Sequence, residues 1–227
     1  MPARAVIFDW GGTLTPWHSV DAEVLWRDVC ARHFDPGAAA VHAAAMHAAE
    51  RYFWTEAERE NRSATLEQVF RRAGVPVTDA LLASYFQAWE PHTLTDPQAP
   101  ALLRQLRSAG WRIGVLSNTM WPRHQHEQIF RRDQVLPLID GAVYSSEIAW
   151  TKPHPEAFRA AMAAVGADDP AVCVFVGDRP YDDIYGAKQA GLRAVLLAGS
   201  NVPAFDGAAP DAVISRLPEL APLIESW

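Results

Sequence analysis

Apolar residues fall along the chain in short unbroken runs: "AVIFD" (5–9), "WRIGVLSN" (111–118), "GAVYSS" (141–146), "VCVFVGD" (172–178), "RAVLLAG" (193–199) and "DAVISRL" (211–217). Runs of this length, rich in β-branched residues and closed by glycine or polar residues, predict strands buried on both faces. Between most of them apolar positions recur every three to four residues, near 98–109, 122–132, 155–165 and 182–190, and predict helices. Strand alternating with helix predicts an α/β chain with a Rossmann-like, doubly wound parallel sheet. In such sheets ligands sit outside the carboxyl ends of the strands, where Asp9, Ser117 and Asp178 fall.

Residues 17–92 break the rhythm with four helical patterns, near 20–33, 37–60, 64–73 and 78–89, and no convincing strand. The pattern predicts a helical cap domain at 17–92, inserted into a core domain made of 1–16 and 93–227 and lying over the strand ends as a lid. Pro16 and Pro91 stiffen the two crossings.

Composition narrows the partners. The chain has 227 residues, 49% of them hydrophobic, enough for a packed interior. With 27 acidic against 20 basic residues the formal charge is −7, and no basic run is long enough to track a nucleic-acid backbone, so nucleic acid is not an expected partner. No apolar stretch reaches membrane-spanning length, and "MPAR" leads straight into the first strand with no room for a signal peptide. Cys30 and Cys173 fit no zinc spacing and read as reduced structural residues, so a cytoplasmic protein is expected.

Asp9 ends the first run; a carboxylate there is costly unless it is paired, metal-bound or reactive, and a turn cap fits this pattern equally well. "FVGDRPYDDIYGA" repeats the arrangement, with Asp178 at a strand end and Asp182 and Asp183 opening a helix. Two strand-end aspartates compose an oxygen-donor site of the kind Mg²⁺ takes. Helix capping competes for Asp182 and Asp183 and is preferred for Asp182. Ser117 and Asn118 offer a hydroxyl and an amide to phosphate oxygens, or simply mark a turn. Lys152 is one of only two lysines, with Lys188, and stands between a strand and a proline-started helix.

Taken together, "FDWGGTL", "GVLSN", "TKPHPEAF" and "VFVGDRPYDDIYGAKQAGL" resemble, in order, the four signature motifs of the haloacid dehalogenase-like (HAD) hydrolases. The helical insert resembles the cap of that family's phosphoglycolate phosphatase-like branch. The resemblance implies a Mg²⁺-dependent phosphohydrolase acting on a small phosphorylated metabolite. It implies Asp9 as the nucleophile that becomes an aspartyl-phosphate, and Ser117 and Lys152 on the transferring phosphoryl group. Asp9, Asp178, Asp183 and the backbone carbonyl of Gly11 would surround the metal, Asp183 serving there or orienting the lysine.

The first motif departs from the family's Asp-x-Asp, whose second Asp protonates the leaving group and then activates water: here that position is Gly11. Removing a positioned acid and base costs ~10²- to 10⁴-fold. The 2-haloacid dehalogenases, which need no metal, carry an aromatic residue at that position. Phosphonoacetaldehyde hydrolases resemble "DWGGT" but use a cap lysine, and 17–92 contains none. What remains is a phosphatase with another acid and base, from His18, His42, His47, Tyr52 or Glu56, with His18 nearest Asp9 in sequence. The alternative is a catalytically weak HAD fold that binds a phosphorylated ligand or a protein partner. Trp10, Trp17, Trp54, Trp89 and Trp121 read first as packing in a two-domain seam.

Overall fold

The computed structural model describes residues 4–207 and 209–227. All six apolar runs are strands: β1 (Ala5–Phe8), β2 (Arg112–Ser117), β3 (Gly141–Tyr144), β4 (Cys173–Gly177), β5 (Arg193–Leu197) and β6 (Ala212–Ile214). They form one parallel sheet in the order β3-β2-β1-β4-β5-β6. The chain order turns back at β1, between β2 and β4, which opens a crevice at the strand ends there.

The helices are α1 (Ala22–Ala31), α2 (Pro36–Glu60), α3 (Leu66–Ala73), α4 (Asp79–Trp89), α5 (Ala99–Ser108), α6 (Arg123–Arg132), α7 (Pro155–Ala164), α8 (Gly186–Gln189) and α9 (Leu220–Glu225). Two-residue alternation sorts the sheet's side chains onto two cores. Val6, Phe8, Ile113, Val115, Val174 and Val176 pack with Leu102, Leu106, Phe130 and Leu220 from α5, α6 and α9. Ala5, Ile7, Cys173 and Phe175 pack with Phe158 and Met162 of α7 and Ala187 of α8. Helix α9 lies outside the expected elements because Pro218 and Pro222 interrupt its periodicity.

Helices α1 to α4 share a third core, centred on Trp26, Met46, Phe70 and Tyr85, which reaches Met120, Trp121 and Ile129. Local signals start and stop them. Asp35 accepts from the N–H groups of Gly37 and Ala38 with Pro36 at the first turn of α2, and Thr65 and Gln68 form a capping box on α3. Helix α2 ends at Asn61, whose φ is +54°. The residues beyond it run antiparallel to the loop before Lys152: Thr151 N–H donates to the Asn61 carbonyl at 2.9 Å, and Arg62 bridges to Trp150. Among the described residues no helix is long and apolar enough to cross a membrane.

Candidate active site

The strand ends on either side of the reversal hold a buried charge cluster. Asp9 N–H donates to the Val176 carbonyl at 2.9 Å, so the β1–β4 pairing runs on past Phe8 and brings Asp9 alongside the end of β4. Lys152, from the loop between β3 and α7, donates to Asp9 Oδ1 and to Asp183 Oδ1, both at 2.6 Å. Asp183 lies in a π-helical turn, Pro180–Tyr185, and its other oxygen accepts the Arg179 N–H at 2.9 Å. Carboxylate oxygens of Asp9, Asp178 and Asp183 come within 4.8 Å of one another.

Two glycines admit this crowding. Gly12 has φ +90°, and a Cβ there would lie 2.5 Å from Asp178 Oδ2. A Cβ on Gly177 would strike the Asp183 carboxylate. Thr13 Oγ1 donates to Asp178 Oδ1 at 3.3 Å, while Asp178 Oδ2 is buried with no hydrogen-bond partner among the described residues.

Burial pushes the Asp178 carboxyl up from 3.8 to about 7, with the negative charges of Asp9 and Asp183 acting in the same direction. Burial raises Asp183 as well, against the pull of Lys152. For Lys152 burial opposes the charged form, but Asp183 and Asp9 outweigh it and the ammonium is held above its ordinary value. Three carboxylates against one ammonium leave a formal charge of −2 when all are ionised. Hard oxygen donors, an orphaned buried carboxylate oxygen and uncompensated negative charge fit a divalent cation of the Mg²⁺ kind.

Asp9, Ser117, Asn118 and Lys152 line one cavity of about 420 Å³ with Gly11, Trp54 and Arg179. Ser117 is buried at the end of β2. Asn118, expected on phosphate, spends its amide on Lys152: Nδ2 donates to the Lys152 carbonyl at 2.9 Å and Oδ1 accepts its N–H at 2.8 Å. Gly11 lines the cavity, and a Cβ built there meets nothing within 4 Å, so the space where a second carboxylate would project is open. Asp182 does not cap its helix as expected. The helix starts at Pro180, which puts Asp182 inside the first turn, 3.4 Å from the Arg179 guanidinium, while Asp183 takes the Arg179 N–H.

A second cavity, of about 380 Å³, shares Trp10, Gly11, Trp54, Asn118 and Arg179 with the first. All five tryptophans read as seam packing line it, and so do His18 and His92, whose Nδ1 atoms lie 3.3 Å apart. His126, on α6, is neutral and out of reach of solvent. Burial, then Arg123, lowers it from 6.5 to about 3, and it stacks on Tyr144 with centroids 4.4 Å apart. Thr13, Arg179 and Glu50, which lines the second cavity, were not singled out by the sequence pattern. Thr13 and Arg179 do fall within the first and fourth motifs, whereas Glu50, in the middle of α2, carries no local signal.

A family model described as haloacid dehalogenase-like hydrolase matches residues 3–191. Phosphoserine phosphatase of Thermus thermophilus is 32% identical over 163 residues, 68% of this chain and 63% of that protein. Glyceraldehyde 3-phosphate phosphatase of Pyrococcus abyssi is 35% identical over 99 residues, 44% of this chain and 40% of that one. The matches therefore span between 40% and 63% of these relatives' own length. Among solved structures, the 2-haloacid dehalogenase from Pseudomonas syringae pv. Tomato DC3000 superposes with a TM-score of 0.69 at 24% identity, over 99% of this chain and 98% of that one. At that identity the likeness is one of fold.

Proposed function

The chain belongs to the haloacid dehalogenase-like hydrolases, and on that premise we propose that it is a Mg²⁺-dependent phosphohydrolase of a small phosphorylated metabolite. The observation that carries the reading is the contact of Lys152 with Asp9 at 2.6 Å, at the wall of a cavity and beside two further carboxylates. The phosphatase names of the two curated relatives support the same chemistry. Asp9, Asp178 and Asp183, with the Gly11 carbonyl, would hold the cation. When bound it would neutralise the carboxylates and the phosphoryl oxygens. Residues 17–92 act as the cap domain over a core of 1–16 and 93–227. Two buried unpaired cysteines accord with a cytoplasmic setting.

In this reading an Asp9 oxygen forms a bond to phosphorus as the bond to the leaving-group oxygen breaks, giving an aspartyl-phosphate. Water then attacks that phosphorus, releasing phosphate and restoring Asp9. Lys152 turns its ammonium onto a phosphoryl oxygen and draws off charge as the transition state loosens. Ser117, at the end of β2, contributes a hydroxyl from the same wall. Asn118 fixes the Lys152 main chain and is a positioning residue. Asp183 supports the lysine from behind while gripping the Arg179 N–H.

No carboxylate stands at Gly11, so the leaving oxygen must depart with little help. The enzyme then favours aryl and acyl phosphates, whose leaving groups need little protonation, over alkyl phosphates. His18 and His92 line the cavity that Gly11 opens onto and are the imidazoles available there to exchange a proton with water.

The test is Mg²⁺-dependent phosphate release from p-nitrophenyl phosphate and acetyl phosphate, with Asp9→Asn as the control. Turnover abolished by Asp9→Asn is the expected result. Tight binding of phosphometabolites with no turnover in the wild type would instead select the binding protein.

A further inference from the structure

Resting on the phosphohydrolase reading, we propose that the second cavity selects an aromatic leaving group bearing a positive charge or hydrogen-bond donor, and rejects leaving groups that carry a carboxylate. Its walls are the rings of Trp10, Trp17, Trp54, Tyr85, Trp89 and Trp121. Several of these rings brace one another edge to face. Trp89 and Trp121 are 5.5 Å apart at 77°, and Tyr85 and Trp121 are 6.1 Å apart at 80°. Rings held this way present fixed faces to a flat guest at small entropic cost.

The charges set the polarity of the guest. The one guanidinium lining this cavity is that of Arg179, which also lines the phosphoryl cavity, reaches Asp182 and lies 5.6 Å from the Trp17 ring. It belongs to the end where phosphate sits. The one carboxylate among the lining residues is Glu50, which lines the second cavity and not the first. Glu50 Oε2 accepts the Trp26 indole N–H at 2.7 Å, which fixes the carboxylate in place. Apart from Arg179 no lysine or arginine among the described residues lines this cavity, so a carboxylate on the guest held beyond Arg179 would meet aromatic faces, Glu50 and the imidazoles of His18 and His92. An ammonium or N–H would meet attractive ring faces and an acceptor. The open position over Gly11 lies where the two cavities join, and aryl oxygens are the leaving groups that need an acid least.

The proposal is tested by binding, so that it stands or falls apart from turnover. Four non-hydrolysable phosphonates are titrated by calorimetry with Mg²⁺ present: benzylphosphonate, its 4-aminomethyl and 4-carboxy derivatives, and phosphonoacetate. The expected order is aminomethyl tightest, then benzyl, with the 4-carboxy compound and phosphonoacetate weaker than benzyl by about tenfold or more. Glu50→Gln removes most of the aminomethyl advantage and leaves benzylphosphonate within about twofold. Trp89→Ala, at a ring that lines the second cavity and not the first, weakens all three benzyl compounds and spares phosphonoacetate. If phosphonoacetate matches or exceeds benzylphosphonate, if the 4-carboxy compound binds as well as the aminomethyl one, or if no phosphonate binds, the proposal is overturned. The hydrolytic reading is judged separately, by phosphate release from acetyl phosphate, which carries no ring for the aromatic residues to recognise.

Discussion

Asn118 holds Lys152 by both ends of its amide, Nδ2 on the lysine's carbonyl and Oδ1 on its N–H, across 34 positions of sequence. That two-point grip aims the ammonium that touches Asp9. Asn118→Ala is therefore expected to lower kcat by roughly 10- to 100-fold, the scale of small misplacements of a reacting group, with little change in KM. A substitution that instead raised KM and spared kcat would assign Asn118 to substrate contact. Steady-state kinetics on p-nitrophenyl phosphate separates the two.

Lys152 pairs with two of three buried carboxylates, so its loss should be felt in stability as well as rate. Breaking a buried pair from one side costs about 3–5 kcal/mol because the opposite charge is left uncompensated. Lys152→Met should lower the melting temperature, and Mg²⁺ should restore part of the loss. Calorimetric melting with and without the metal measures both. A variant that melts like the wild type would mean that the carboxylates were never held charged by the lysine.

The raised Asp178 carboxyl gives the stability a direction in pH. Its value in the fold is about 7, against 3.8 ordinarily, so between about pH 4 and 7 the folded state binds more protons than the unfolded one. Without cation, the contribution of this group falls as pH rises through that window and levels off above it. Mg²⁺ competes with the proton, so the rise in melting temperature on adding Mg²⁺ should be larger at about pH 8 than at about pH 5. An equal rise at both would show that the cation does not use Asp178.

The space over Gly11 invites a carboxylate. With no atom within 4 Å of a Cβ there, Gly11→Asp should fold like the wild type. It should raise turnover of alkyl phosphates by up to ~10²- to 10⁴-fold, the usual contribution of a positioned acid and base. Aryl phosphates should gain far less. Parallel gains on both, read from rates on leaving groups of graded acidity, would show that protonation was not what the wild type lacked.

Gly12 tolerates no side chain. At φ +90° with Asp178 Oδ2 2.5 Å from a Cβ, Gly12→Ala must push the Asp178 carboxylate away or distort the turn. The expected result is weaker Mg²⁺ dependence of both melting and turnover, measured by metal titration. Unchanged metal response would place the cation away from Asp178.

The sequence by itself determined the sheet and the chemistry at its edge. Short apolar runs rich in β-branched residues and closed by glycine or polar residues predict strands, and all six are, although Val213 of the edge strand β6 is exposed; parallel pairing then brings their polar carboxyl ends to one rim, so Asp9, Ser117 and Asp178 were legible as neighbours in kind. Only the tertiary structure decided which charges meet. Lys152 reaches Asp9 across 143 positions and Asp183 across 31, distances set by sheet register and by the π-helical turn that local pattern does not encode. The same holds for Asn118, whose amide reads as a phosphate ligand until the loop before α7 folds back on it. The tryptophans read as packing because apolar periodicity cannot tell a wall from a core. Trp10, Trp89 and Trp121 do pack into the core of helices α1 to α4, and all five also line the second cavity, which only the folded arrangement shows.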